Sequence, residues 1–169
     1  MSHELWQRAA SFAARAHQHT LRKDGKTPYF AHPVRVALTV RHAFGHEDET
    51  TLAAALLHDT IEDTSCDYDD IAEHFGEEVA RLVVQMSKNM LLPEDERERD
   101  YDARLAAGDW RGRLIKLADV YDNLADGAGK REKMLDKVRR AIALAQPDLA
   151  HHPETKRAID ALEALVRKG

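Results

Sequence analysis

The stretch Leu52-Ala53-Ala54-Ala55-Leu56-Leu57-His58-Asp59-Thr60-Ile61-Glu62-Asp63 joins six apolar residues directly to a histidine and a block of acids. Leu and Ala are strong helix formers, and a segment apolar on every side predicts a helix buried at the centre of the fold. Thr50 or Thr51 is expected to cap its start through a hydroxyl. If the helix continues, His58 lies over Glu62 and Asp59 over Asp63, while His58 and Asp59 sit about 100° apart. All four polar groups can then face one cleft at the end of a core helix.

Outward from this segment the pattern stays helical. Leu5, Ala9, Phe12, Ala13 and Ala16 keep a three-to-four spacing, and the polar stretch 17–28, with Asp24-Gly25 as turn chemistry, ends that helix. Pro33, after His32, suits the first turn of a second helix over 34–44, because it lacks only an N–H left unpaired there. Asp67 and Asp70 mark a helix start, Gly76 a stop, and 79–86 another amphipathic segment. Pro93 opens a charged run over 94–100 that reads as a solvated helix face. Leu114, Leu117, Ala118, Tyr121 and Leu124 form the buried stripe of a further helix; two more follow, divided by Gln146-Pro147-Asp148 and closing near Arg167. Eight glycines and five prolines are too few for an all-β chain. The expectation is an all-α fold, a compact bundle of about seven or eight helices, in a single domain over residues 1–169.

Composition narrows the function. The chain has 169 residues, enough for a substantial core, and a formal net charge of −5, which argues against a general grip on nucleic acid or anionic lipid. An anionic ligand therefore needs a local basic pocket. The single cysteine, Cys66, excludes an internal disulfide framework, and no secretory leader or apolar run near 18 residues is visible. These features predict a reduced, cytoplasmic protein with no membrane contact. Of the 10 histidines, most read as surface or satisfied helix residues, among them His3, His17, His19, His42, His46, His74, His151 and His152.

A divalent cation of borderline hardness takes imidazole nitrogen and carboxylate oxygen together, and positions left to water or substrate make such a site catalytic. His58 and Asp59 are too few ligands. His32, at the mouth of the second helix, offers a further nitrogen, and Asp119 a further carboxylate. Asp119 falls off the Leu114/Leu117/Tyr121 stripe and shares a side with Asn123, four residues on. The candidate metal set is His32, His58, Asp59 and Asp119.

Three ordered motifs widen the pattern: Arg22-Lys23-Asp24-Gly25-Lys26-Thr27-Pro28-Tyr29-Phe30-Ala31-His32-Pro33, then Ala54 to Thr64 around His58-Asp59, then Lys116-Leu117-Ala118-Asp119 with Asn123. Together they resemble the HD-domain hydrolases of guanosine tetra- and pentaphosphate, in particular the small alarmone hydrolases of the RelA/SpoT homologue group, including the metazoan SpoT-like enzymes. The resemblance implies a manganese ion held by His32, His58, Asp59 and Asp119, with Glu62 and Asp63 beside the attacking water. It implies hydrolysis of the 3′-pyrophosphate ester of ppGpp or pppGpp, releasing pyrophosphate and GDP or GTP. Asn123 would hold the water or sugar, and Arg22 and Lys23 would meet the base and phosphates, where a guanidinium both stacks and neutralises. Tyr29 is expected to pack beneath the loop.

Some positions depart from the family pattern. Val120 and Ala125 stand where relatives place basic residues, Asp122 adds a negative charge beside Asn123, and Met90 replaces a lysine of the animal enzymes. Arg131, Lys133, Lys137 and Arg139 are the candidate basic residues of the following helix. These departures motivate two rivals. One is an HD-type phosphohydrolase of another nucleotide, such as the 2′-phosphate of NADPH or a nucleoside phosphate. The other is a non-catalytic alarmone-binding module, against which the Glu62-Asp63 pair argues.

Overall fold

A computed structural model describes residues 4–127 and 130–168; His3 lies outside them. The described residues are all-α, with one isolated β-bridge between Leu21 and Pro28 closing the basic loop. The helices are α1 (Leu5–Ala16), α2 (Ala31–Leu38), α3 (Glu49–Leu57), α4 (Thr60–Asp63), α5 (Tyr68–Phe75), α6 (Glu77–Met86), α7 (Glu94–Ala107), α8 (Trp110–Ala125), α9 (Arg131–Ala145) and α10 (Pro153–Lys168). A π-turn over Thr39–Ala43 extends α2, and a 3₁₀ turn over Gln146–Ala150 joins α9 to α10.

The core helix α3 is buried from Thr51 to Leu57 and packs against α1, α2, α6 and α8. Its cap is Asp48 rather than a threonine: Oδ2 accepts from Thr51 N at 2.9 Å and from Thr51 Oγ1 at 2.7 Å. The expected second helix over 34–44 divides into α2 and the π-turn, closed by Phe44 N donating to Thr39 O at 3.0 Å. The turn brings Val40 and Phe44 into the core, both fully buried, a one-residue adjustment that a 3.6-residue period does not reveal. There are ten α-helical segments among the described residues rather than seven or eight, in part because the core helix breaks after Leu57.

The capping box of Asp67 and Asp70 starts α5 as expected, and Gly76, at φ +90°, turns the chain into α6. Gly112 lies inside α8 because Gln85 of α6 packs where a Cβ would stand. Gln85 Nε2 donates to Asp109 O at 2.9 Å and its Oε1 accepts from Asp109 N at 3.0 Å, tying α6 to the start of α8. Among the described residues no helix is long and apolar enough to cross a membrane.

Candidate active site

The break after Leu57 has a local cause. Thr60 Oγ1 donates to Leu57 O at 2.7 Å, and His58 Nδ1 donates to Ala55 O at 2.8 Å. Side-chain donors thus take two carbonyls that a continuing helix would need. His58 and Asp59 form a turn, and α4 resumes the helix, with Asp63 N still donating to Asp59 O at 2.9 Å. The expected uninterrupted two turns are therefore replaced. Glu62 is carried to the end of α6, where it accepts from Lys88 N at 2.9 Å.

Four donors from three parts of the chain converge. His32 Nε2, on α2, lies 3.5 Å from Asp59 Oδ2 and 3.2 Å from Asp119 Oδ1 of α8. His58 Nε2 lies 3.1 Å from Asp59 Oδ2 and 4.0 Å from Asp119 Oδ1. The ligand atoms of His32, His58 and Asp59 all lie within 4.8 Å of one another. Both Nδ1 atoms are already engaged: that of His58 with Ala55 O, that of His32 with Asp122 Oδ2 at 2.6 Å. Each ring therefore turns its Nε2 inward, where a cation would take the place of a proton. His58 Nε2 is buried and has no hydrogen-bond partner among the described residues. A buried nitrogen left this way, facing two carboxylates, fits a divalent metal ion.

The electrostatics agree. Burial opposes charge on Asp59 and Asp119, yet His58 beside Asp59, and Lys116 and His32 beside Asp119, hold both carboxylates below their usual range. Burial also opposes charge on His32, but hydrogen bonds to Asp119 and Asp122 push it up to about 9, so a cation binding at Nε2 would displace a proton. Burial raises Glu62 and Asp63, and the nearby Asp59 adds to both shifts. A carboxylate lifted toward neutral pH is suited to accepting a proton.

Residues 9–148 match the HD-domain family. This chain is an HD-domain protein. It is 44% identical over 119 residues to the guanosine-3′,5′-bis(diphosphate) 3′-pyrophosphohydrolase MESH1 of Homo sapiens, a match covering 70% of this chain and 66% of that protein. It is 42% identical over 119 residues to the protein of the same name from Xenopus tropicalis, with the same coverage. The chain thus spans just under two-thirds of the length of these relatives. The structure described as a metazoan ortholog of SpoT that hydrolyzes ppGpp and plays a role in starvation responses superposes with a TM-score of 0.85 at 27% identity, covering 99% of this chain and 97% of that one.

Within the HD domain, Asn123 Nδ2 donates to Asp119 Oδ1 at 2.6 Å, on the shared side that the four-residue spacing predicts. The Arg22 side chain is largely buried. Its guanidinium donates to Asn123 Oδ1 at 3.0 Å and Asp126 Oδ2 at 2.9 Å, and lies 5.6 Å from the Tyr29 ring centre. Lys23 is exposed on the same loop. Val120 is buried in the core, so its apolar character follows from packing. Ala125 and Met90 are exposed.

Three residues take larger parts than the sequence reading assigned. Asp122, read as an added charge, is buried and binds His32 as well as Arg35, whose Nε donates at 2.5 Å. Its signal was its place one turn beyond Asp119 on α8. Tyr29 does pack beneath the loop, but its hydroxyl also donates to Asp59 Oδ2 at 2.6 Å. His17, expected to be satisfied or exposed, is buried with its ring 4.7 Å from that of Tyr29 and neither nitrogen hydrogen-bonded among the described residues. Nothing in its local sequence frames it, because the ring it packs on, Tyr29, comes from the far end of the loop between α1 and α2.

Proposed function

We propose that this HD domain, read as one unit over residues 1–169, is a cytoplasmic manganese-dependent hydrolase of guanosine 3′,5′-bis(diphosphate), ppGpp, and its triphosphate counterpart pppGpp. Its partner is a small anionic guanine nucleotide, with neither nucleic acid polymer nor membrane involved. The observation that carries this reading is the convergence of His32 Nε2, His58 Nε2, Asp59 and Asp119, with Glu62 and Asp63 one helical turn from the metal donors; the named relatives supply the substrate.

In this reaction water adds to the phosphorus borne by the ribose 3′-oxygen, the bond between them breaks, and pyrophosphate leaves. The 3′-oxygen takes up a proton and GDP or GTP remains. When bound by His32, His58, Asp59 and Asp119, the cation would offset charge on the phosphoryl oxygens and acidify water. Glu62 and Asp63 accept the proton that water loses, the role for which their raised pKa values suit them. Asn123, already oriented by Asp119 and Arg22, offers a neutral donor and acceptor to the water or the ribose. Arg22 and Lys23 meet the base and phosphates; for Arg22 this means exchanging Asp126 for the nucleotide, over the ring of Tyr29.

The test is to give metal-loaded protein ppGpp and resolve the products. GDP and pyrophosphate are expected, with turnover nearly abolished in Asp59→Ala and Asp119→Ala. An inert wild type, or variants as fast as wild type, overturns the proposal. A panel including NADPH and nucleoside phosphates, ranked by kcat/KM, shows whether another nucleotide is preferred.

A further inference from the structure

On the side of the site away from Arg22, a small concavity is lined by Lys88, Glu98, Tyr101, Lys116, Lys137 and Arg140, among others. Its free volume is about 30 Å³, room for one phosphoryl group and too little for a nucleobase. Lys88 Nζ lies 5.4 Å and Lys116 Nζ 5.2 Å from the centre of the same ring, that of Tyr101. Two ammonium groups are thus gathered at one aromatic ring, and Lys137 of α9 joins them from the rim. Four cations meet three carboxylates here: Glu98 binds Lys88 and Arg140, Asp102 binds Arg140, and Asp119 binds Lys116. Desolvation, then repulsion from Lys116 and Lys88, moves Lys137 below the usual lysine range, against the opposing pull of Asp119 and Glu98.

The concavity shares its wall with the metal donors. Asp119 presents Oδ1 to His32 Nε2 at 3.2 Å and accepts from Lys116 Nζ through Oδ2 at 2.8 Å. The backbone N–H of Lys88 donates to Glu62. A single carboxylate therefore separates the cation site from the lysines, a span that suits the phosphoryl group next to the reacting one rather than the 5′ end across the ribose.

We infer that Lys88, Lys116 and Lys137 form an anchoring pocket for the outer phosphate of the substrate's 3′-diphosphate, and then for the same group of departing pyrophosphate. The inference rests on the hydrolase reading for its substrate, and on the lysine cluster for its position. It also supplies charge that Met90 and Ala125 do not. Of the four basic candidates on α9, it selects Lys137, whereas Arg139 pairs with Asp136 at 2.7 Å.

The experiment titrates inorganic pyrophosphate into metal-loaded wild type, Lys88→Met, Lys137→Met, Lys137→Arg and Arg139→Met by calorimetry, and measures KM and kcat for ppGpp on the same preparations. Lys88→Met and Lys137→Met are expected to weaken pyrophosphate binding about tenfold and to raise KM by a similar factor, with kcat changed less than about twofold. Lys137→Arg restores most of the affinity, Arg139→Met leaves it unchanged, and all four melt within a few degrees of wild type. Unchanged pyrophosphate affinity in both methionine variants overturns the pocket. A wild type that binds pyrophosphate through these lysines but leaves ppGpp intact overturns the hydrolase reading and keeps the phosphoryl site.

Discussion

Asp122 Oδ2 lies 2.6 Å from His32 Nδ1, with Arg35 Nε donating to the other carboxylate oxygen at 2.5 Å. The arrangement fixes the His32 ring and leaves Nε2 facing Asp119 and Asp59. A carboxylate behind a metal-ligating imidazole orients it and raises its basicity. Asp122→Ala should therefore weaken metal binding by roughly 10–100-fold, and Asp122→Asn, which retains an acceptor, by less. Chelator competition reads the affinities directly; equal losses in the two variants would point to charge rather than orientation.

Glu62 is held by Lys88 N and stands outside the converging candidate ligands. Glu62→Gln should keep the metal and lose about 10²–10⁴-fold in kcat, the range that general acid–base catalysis contributes. Metal content by emission spectrometry beside single-turnover rates separates the two effects. Loss of metal in step with rate would make Glu62 a ligand.

His17 is buried as a neutral ring, its pKa lowered chiefly by desolvation. The unfolded chain takes up a proton there near pH 6.5 and the folded chain only at lower pH, so stability falls as pH drops below 6.5. His46 is shifted the same way. His17→Phe keeps a ring against Tyr29 and removes the two unpaired nitrogens. Urea denaturation of the metal-free protein from pH 7 to pH 5 should show a shallower loss for the variant than for wild type; parallel curves would remove His17 from the account.

Arg113 is buried on α8 and binds Asp148 at 2.7 and 2.8 Å, with Nη1 donating to Leu105 O at 2.7 Å and Gly108 O at 2.8 Å. It ties the end of α7 and the 3₁₀ turn to the helix that carries Asp119. Arg113→Ala would strand Asp148 and the α7 carbonyls, at a cost of about 3–5 kcal/mol. A urea midpoint unchanged from wild type would contradict this.

Much of the fold was legible because it follows from local chemistry. The spacing of Leu5 to Ala16 corresponds to α1 residue for residue, and Asp67, Asp70 and Gly76 bound α5 as their capping chemistry requires. The π-turn after α2 and the break after Leu57 were not legible. Each depends on which donor reaches a carbonyl or which side chain reaches the core, and neither choice alters the apolar period.

By itself the sequence determined that the chain is helical and that its most apolar helix leads into His58-Asp59. Those are properties of residue type and of spacing within a turn or two. Only the tertiary structure decided that Asp122 stands behind His32, that His17 lies against Tyr29, that Asp126 holds Arg22, and that Lys88, Lys116 and Lys137 meet beside Asp119. Each of these relations joins elements distant in sequence, and burial in a shared core sets their separation.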